Sequence, residues 1–487
     1  QHYPFKAIRI KRSISRNELA LVETHRFNLP GVRIMVSPER YYLFQDLAAH
    51  VLGYVGEISE RQLASGRYLN NKSGDLIGKA GVEKKWQAIL NGIPGGEQVE
   101  VDAAGRKLKV VSQKPPVPGA NVYLTIDKDL QARAEKELEG KVGAVVAMDP
   151  MDGEILAMAS SPSFDPNMFI KGFDRETWKS VVGGKHHPLE NRAVAGQYPP
   201  GSIFKIAVAL AGLQEGAVTP DEKLFCSGSY RLGKSVYRCW KKWGHGNVDL
   251  HRALVESCDV YFYQLGKRLG IEKIAEYARR LGLGSRTGID LPNEKPGLIP
   301  SKKWKLKRWG VPWQQGETIS ISIGQSFVLV TPLQIVSMIS SVFNGGRLLK
   351  PQLTERISTP GGEDIYLFHP VERWGLGVDN AYLEMVKKAL TGVVNELHGT
   401  GKEARIKGVL VAGKTGTAQV VSMQKGERSG NEENVPEAQR DHAWFVAIAP
   451  VDKPKIAVAV IIEHGGHGGS AAAPVAKKII SAYLGMN

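Results

Sequence analysis

The sequence predicts an α/β protein of the α+β kind: a mixed, mainly antiparallel sheet flanked by helices, with a smaller domain ahead of it. Three observations lead there. Apolar runs of strand length stand at Val142–Asp149 and Glu154–Ala159, and others recur far away at Val409–Gln419, His442–Ala449 and Ile456–Glu463. The stretch between them, from 164 to 400, reads mostly as helices with long connections. Lys114-Pro115-Pro116-Val117-Pro118-Gly119 breaks the chain and reads as a linker, which divides a domain at 1–115 from one at 120–487.

The elements follow in order. Before residue 115, strand-like and helical runs alternate, and glycine punctuates Ala48 to Gly56 and Gly78 to Glu83. Asn121–Asp127 reads as a strand and is followed by a helix through Glu139. Pro150-Met151-Asp152-Gly153 joins the next two strands as a hairpin. Pro199-Pro200-Gly201 marks a helix start, and Ile203 to Leu213 is the apolar helix it opens. An amphipathic run, Leu250–Glu256, leads to an aromatic helix at Val260–Leu265, and a last helix spans Ala473–Leu484.

Composition bounds the function. At 487 residues the chain exceeds one ordinary core, so two or more domains are expected. No run of about 18 or more apolar residues occurs, so no membrane span is expected within the chain. The start, Gln1 to Lys11, is polar and basic and carries no secretory signal; the natural N-terminus is expected to lie upstream. An excess of 64 basic over 49 acidic residues gives +15. No nucleic-acid motif accompanies it, and an anionic membrane surface or a carboxylate-bearing polymer matches the charge as well.

Chemistry is carried by three short motifs. Ser202-Ile203-Phe204-Lys205 places a serine at a helix N-terminus, where backbone N–H groups lack partners, and a lysine one turn on along the same face. A lysine buried near other cations loses its proton more easily and can serve as a base for that hydroxyl. A second serine–lysine copy, Ser422-Met423-Gln424-Lys425, lies in a polar stretch without a helix start. Ser257-Cys258-Asp259 falls between two helical runs; Ser257 is a candidate proton relay, with a helix cap as the plainer alternative. Lys414-Thr415-Gly416-Thr417 sits in an apolar strand pattern: an edge strand offers its backbone to an extended peptide, the glycine allows close approach, and Lys414 and Thr417 suit a terminal carboxylate. Each member has an ordinary structural reading alone. Their order within one domain-sized span matches the signature of penicillin-binding proteins and serine β-lactamases.

With these motifs the chain resembles the class B penicillin-binding proteins, specifically the elongation-type penicillin-binding protein 2 group. The likeness includes Tyr198-Pro199-Pro200-Gly201-Ser202, Lys241 to Gly246, Gly316-Glu317-Thr318 through Gly324-Gln325, Thr331 to Gln334, and Asp441 to Phe445. It covers nearly all of 120–487, and 1–115 resembles the non-catalytic, dimerisation-like pedestal of such proteins. Asp259 stands where most penicillin-binding proteins have Asn, and it is similar to what elongation-type members show. The resemblance implies a penicilloyl-serine-transferase fold and peptidoglycan D,D-transpeptidation on stem peptides. Ser202 would form the acyl-enzyme, Lys205 would activate it and Ser257 would relay protons. The N–H groups of Ser202 and Thr417 would form the oxyanion hole, and Lys414, Thr415 and Thr417 would hold the carboxylate side. β-Lactam antibiotics would acylate Ser202. It further implies an upstream anchor, action at the periplasmic face of the inner membrane, a SEDS-family glycan polymerase of RodA type and an MreC-type scaffold.

All three cysteines and one histidine, Cys226, Cys239, His245 and Cys258, fall in one window. Thiolates with an imidazole suit a structural tetrahedral Zn²⁺ that would tie down the Ser257–Asp259 segment. Elongation-type relatives resemble this in carrying a metal site in the region. A Cys226–Cys239 disulfide and unliganded thiols remain as alternatives. His186 and His187 read as surface residues, His442 as a strand start, and His464 and His467 as part of a flexible glycine-rich turn. Two rival functions stand beside transpeptidation: a serine β-lactamase, which must deacylate quickly, and a non-enzymatic β-lactam sensor or cell-wall scaffold.

Overall fold

The computed structural model describes residues 10–11, 13–69, 71–103, 107–419 and 436–486. Five strands form the central sheet: β1 (Gly143–Met148), β2 (Ile155–Ser161), β3 (Ala412–Ala418), β4 (His442–Ala449) and β5 (Ile456–Ile462). Their spatial order is β3-β4-β5-β1-β2, so the two ends of the chain segment meet where β5 pairs β1, with Ala459 opposite Val146. Every ladder in this sheet is antiparallel. β1 and β5 are buried along their whole length on both faces, which is why they read as continuous apolar runs rather than alternating ones.

Helices cover both faces. They include α1 (Lys128–Glu137), α2 (Lys205–Gln214), α3 (Asp259–Arg280), α4 (Lys302–Trp309), α5 (Pro332–Phe343) and α6 (Ala473–Tyr483). Val145, Ala147, Val458 and Val460 face α1 and α6, whereas Val146, Met148, Ala459 and Ile461 face the core shared with α2 and α5. Between Lys205 and Gln214, helix α2 is apolar on every side, as a helix enclosed by the core must be. No helix among the described residues is long and apolar enough to cross a membrane.

The middle is less helical than the sequence pattern suggests. Two small hairpin pairs, Leu224–Cys226 with Gly246–Val248 and Ser229–Leu232 with Ser235–Arg238, occupy the segment before α3. Thr354–Ser358 pairs both Asp364–Leu367 and Asn121–Leu124. These strands are too short to show a period.

The proline-rich segment is packed rather than loose. Ile93 and Val117 exchange both backbone hydrogen bonds at 2.9 Å, and a Cβ on Gly119 would lie 2.0 Å from Leu90 O. The amino-terminal region docks on the larger one through an apolar cluster, in which Tyr54 stacks on Phe169 with ring centroids 3.7 Å apart, and through polar contacts. Tyr42 N donates to Asn167 Oδ1 and Asn167 Nδ2 donates to Tyr42 O, both at 3.0 Å. Ala48 N donates to Glu135 Oε1 at 2.8 Å, and Trp86 Nε1 to Thr354 Oγ1 at 3.0 Å.

Candidate active site

Ser202 lies in a short 3-10 turn, Gly201–Phe204, that feeds directly into α2 at Lys205. The turn is held against the edge strand by glycine. Gly201 has φ +55°, and a Cβ there would lie 2.5 Å from Thr417 O, so only glycine brings the nucleophile's backbone so close to β3. Gly201 N donates to Gly324 O at 3.0 Å, and Trp444 Nε1 caps Pro199 O at 3.0 Å. The second serine–lysine copy, at Ser422, lies outside the described residues.

Lys205 is fully buried, and its ammonium is surrounded by the second motif. Nζ donates to Ser257 O at 2.8 Å, to Ser257 Oγ at 3.2 Å and to Asp259 Oδ1 at 2.7 Å. Its hydrogen bonds therefore run to the Ser257–Asp259 turn, and none joins it to Ser202 among the described residues. Lys205 and Ser202 share a helix face, but a buried carboxylate holds an ammonium more strongly than a neutral hydroxyl does. Ser257 sits between the helix Leu250–Val255 and α3 with φ +55°, a left-handed conformation uncommon outside glycine. Trp240 locks this turn: its N–H donates to Asp259 Oδ2 at 2.9 Å and its Nε1 to Ser257 O at 3.1 Å. Asp259, which stands in the asparagine position of the motif, is thus an inward-facing carboxylate shared by Lys205 and a backbone amide.

The third motif closes the cluster from the opposite side. β3 is the edge strand, with Lys414 paired to Val446 and Thr415 to Phe445. Strand alternation sends Lys414 inward, where it is 0% exposed and donates to Ser257 Oγ at 3.0 Å. Ser257 Oγ therefore lies between two lysine amines. Burial, and then the charge of Lys205, push Lys414 well below the ordinary lysine value, with Asp259 opposing them. Thr415 alternates to the other face, where its hydroxyl meets Thr400 Oγ1 at 2.9 Å. It therefore does not share a face with Lys414. Thr417 O accepts from Gln325 Nε2 at 2.9 Å, which fixes the strand beside Ser202. A Cβ on Gly416 would lie 2.8 Å from Pro200 O, so its small size brings β3 against the nucleophile turn.

The four candidate metal ligands converge. Cys226, Cys239, His245 and Cys258 are all buried, and their donor atoms lie within 4.8 Å of one another. The cysteines are free thiols, not a disulfide. His245 Nδ1 stands 3.5 Å from Cys226 Sγ and 3.6 Å from Cys239 Sγ. Tetrahedral zinc bonds of about 2.3 Å to sulfur and about 2.0–2.1 Å to nitrogen place such donors about 3.6 Å apart, so the set fits that ion. On the far side of the ring, His245 Nε2 lies 3.9 Å from Glu256 Oε2. Contacts with Cys239 and Cys258 pull the Cys226 thiol down, and contacts with Cys226 and Cys239 push the Cys258 thiol up.

Several site residues escaped the sequence reading. Glu463, at the end of β5, accepts from Arg192 Nε and from Tyr198 Oη, each at 2.7 Å, and so ties the turn before Ser202 to the sheet. Burial works to raise its carboxyl, but the bonds from Arg192 and Tyr198 prevail and hold it below the ordinary range. Only the proximity of Tyr198 to the first motif hinted at this. Trp240 and Gln325 stand within stretches the family resemblance marks or adjoins, but nothing local reveals their partners. His442 begins β4 as expected. The turn from 464 to 469 is not flexible in the sense expected: Gly468 is buried in a π-helical turn, and its Cβ would lie 2.0 Å from Trp444 O.

Comparison with known proteins agrees with this geometry. A family model described as the penicillin binding protein transpeptidase domain matches residues 143–481, and one described as the penicillin-binding protein dimerisation domain matches residues 1–124. The peptidoglycan D,D-transpeptidase MrdA of Acinetobacter baumannii is 41% identical over 481 residues, covering 98% of this chain and 70% of that protein. The crystal structure of Pseudomonas aeruginosa PBP2 in complex with WCK 5153 aligns with TM-score 0.78 at 36% identity, over 91% of this chain and 90% of that one. A complex between PBP2 and MreC from Helicobacter pylori aligns with TM-score 0.83 at 32% identity, over 97% of this chain and 84% of that one.

Proposed function

This chain belongs to the penicillin-binding protein transpeptidase family and is a serine-type peptidoglycan D,D-transpeptidase, and we propose that its residues divide the reaction among one nucleophile, two lysines and a hydroxyl between them. Ser202 Oγ attacks the penultimate D-Ala carbonyl of a stem peptide and expels the terminal D-Ala. The resulting ester is taken by an amine of a neighbouring stem, which forms the cross-link and releases Ser202. β-Lactams acylate the same oxygen.

The observation that carries this assignment is Ser257 Oγ, 3.2 Å from Lys205 Nζ and 3.0 Å from Lys414 Nζ. A hydroxyl can accept from one amine while donating to another. Lys414, pushed down by burial and by Lys205, is the amine that most readily stands neutral. A proton can pass from Lys205 through Ser257 to Lys414, which leaves Lys205 free to accept the Ser202 proton. Asp259 keeps Lys205 in place during the exchange. The N–H groups of Ser202 and Thr417 form the oxyanion hole, and the close packing of Gly201 on Thr417 supports that pairing. Thr417 with Lys414 receives the substrate carboxylate, and Thr415 supports the strand from behind.

Cys226, Cys239, His245 and Cys258 hold a structural zinc ion in this reading, with Glu256 beside the imidazole. When bound, zinc cross-links the hairpins before α3 to the turn bearing Ser257. Residues 1–115 serve as a non-catalytic pedestal, and the protein acts at the periplasmic face of the inner membrane with an MreC-type scaffold and a SEDS-family polymerase. The complex formed by the H. pylori relative supports the scaffold.

The test is incubation with pentapeptide-bearing peptidoglycan strands. Release of D-Ala with cross-linked dimers, lost in Ser202→Ala and strongly slowed in Ser257→Ala, supports the reading. Rapid release of penicilloate from benzylpenicillin without a lasting adduct would instead mark a hydrolase.

A further inference from the structure

Beside the active site lies a surface that the reaction as described leaves unused. Helix α4 is capped by Ser301, whose hydroxyl accepts from Trp304 N at 3.1 Å, and stopped by Gly310 at φ +69°. Its sequence alternates cations with large apolar side chains. Trp304, Trp309 and Trp313 gather around Phe327, with ring centroids 5.5, 4.8 and 6.5 Å away. The cluster is open to solvent: Trp309 is 49% exposed and Leu306 57%.

Charge surrounds these rings. Lys305 is buried against Glu317 and Pro312 O. Lys302, Lys303, Lys307 and Arg308 are exposed, and among the described residues none of the four has an ion pair. The nearby carboxylates are engaged, Glu317 by Lys305 and Gln314 N, and Glu272 by Lys302 N. Four unneutralised cations around an aromatic cluster with Trp309 half-exposed are a costly way to cover a helix unless something anionic with apolar faces settles there.

The connection to the catalytic residues points to that occupant. Phe327, the centre of the cluster, is two residues beyond Gln325, whose side chain holds Thr417 O, and three beyond Gly324, whose carbonyl holds Gly201 N. One short segment therefore both holds the nucleophile turn and β3 and centres the aromatic patch. A stem peptide laid beside β3 at Ser202 is attached to a glycan strand, which passes over the adjoining surface. Such a strand offers sugar rings with apolar C–H faces, and its peptides carry free carboxylates.

We propose that the α4–Phe327 surface is a glycan-strand subsite: Trp309 stacks on an amino-sugar ring, and Lys307 and Arg308 pair with stem-peptide carboxylates, orienting the polymer at Ser202. The proposal deepens the transpeptidase reading and rests on it. It assigns a polymer-recognition role to residues that touch none of the reacting atoms.

The experiment measures binding of soluble pentapeptide-bearing glycan strands, and of the same strands stripped of peptide, to the full chain carrying Ser202→Ala, by calorimetry. Adding Trp309→Ala is expected to weaken both probes by about tenfold. Adding Lys307→Glu with Arg308→Glu, at exposed positions, is expected to weaken the peptide-bearing strands more than the stripped ones, with the difference shrinking at high salt. A thermal unfolding midpoint equal to that of the parent certifies each variant as folded. Binding of both probes within about twofold of the parent in both variants overturns the proposal. So does a selective loss of binding to phosphatidylglycerol vesicles with glycan binding intact, which would make α4 a membrane contact. Binding is read without acylation, so failure of Ser202 to react with penicillin refutes the catalytic assignment separately.

Discussion

At the scale of single residues, the site depends on how two buried lysines share one hydroxyl. Lys414 lies below its ordinary 10.5, so its neutral form becomes available from that lowered value upward. Benzylpenicillin acylation of Ser202 is therefore expected to rise with pH through the lowered value, and stopped-flow rates across a pH series check it. The linkage has the same sign for stability: between the two values the unfolded chain binds the extra proton, so this lysine's penalty on folding fades as pH rises. Ser257→Ala removes the bridge and is expected to slow acylation by about a hundredfold or more, and to cost about 1–3 kcal/mol of stability by leaving buried lysine donors short of an acceptor. Asp259→Ala leaves Lys205 buried without its counter-charge and is expected to cost about 3–5 kcal/mol, measured by denaturant unfolding. The serine–lysine spacing was legible as a chemical pair because both residues lie on one helix face. That Lys205 turns to Asp259 was not, since the partner arrives from 54 residues away.

Among the elements, position in the fold follows from close packing as much as from hydrogen bonds. The five strands were visible as apolar runs because burial on both faces demands them, and the small hairpins before α3 were not, because strands of three or four residues carry no period. The glycines from 465 to 469 read as a flexible turn because glycine content signals turns, yet Gly468 is small for packing reasons. Gly468→Ala would place a Cβ 2.0 Å from Trp444 O and 2.5 Å from Gly416 O. It is expected to displace the β3 edge, destabilise the protein by about 1–3 kcal/mol and slow penicillin acylation, both read on the purified variant. In the zinc reading proposed above, the Cys/His cluster ties down the neighbouring element. Chelator treatment is expected to remove about one zinc per chain, measured by elemental analysis, and to lower the unfolding midpoint, because the Cys258 side chain anchors the Ser257 turn. An unchanged midpoint with no metal released would reject the ion.

For the whole molecule, the amino-terminal region and the catalytic region meet through an apolar and aromatic contact, with Tyr54 stacked on Phe169 and Ala49 packed with Phe164 and Val181, pinned by a few directional hydrogen bonds. The reciprocal bonds between Tyr42 and Asn167 are central to it. Asn167→Ala is expected to cost about 1–3 kcal/mol of docking and to raise amide exchange across residues 42–54. The proline-rich segment signalled a break in the chain, but its packing against the helix Gln87–Leu90 depends on Gly119 meeting a backbone carbonyl, which no local pattern announces. Family resemblance supplied what local pattern lacked, since the motifs at Lys241 and Gly316 carry Trp240 and Gln325 close by. All of this converges on one oxygen atom, held at the mouth of α2 against the edge of β3. The most direct test is intact-mass measurement after benzylpenicillin treatment, followed by peptide mapping of the adduct. A lasting penicilloyl mass on Ser202 is the result this account predicts. An adduct on any other residue, or none at all on folded protein, would contradict it.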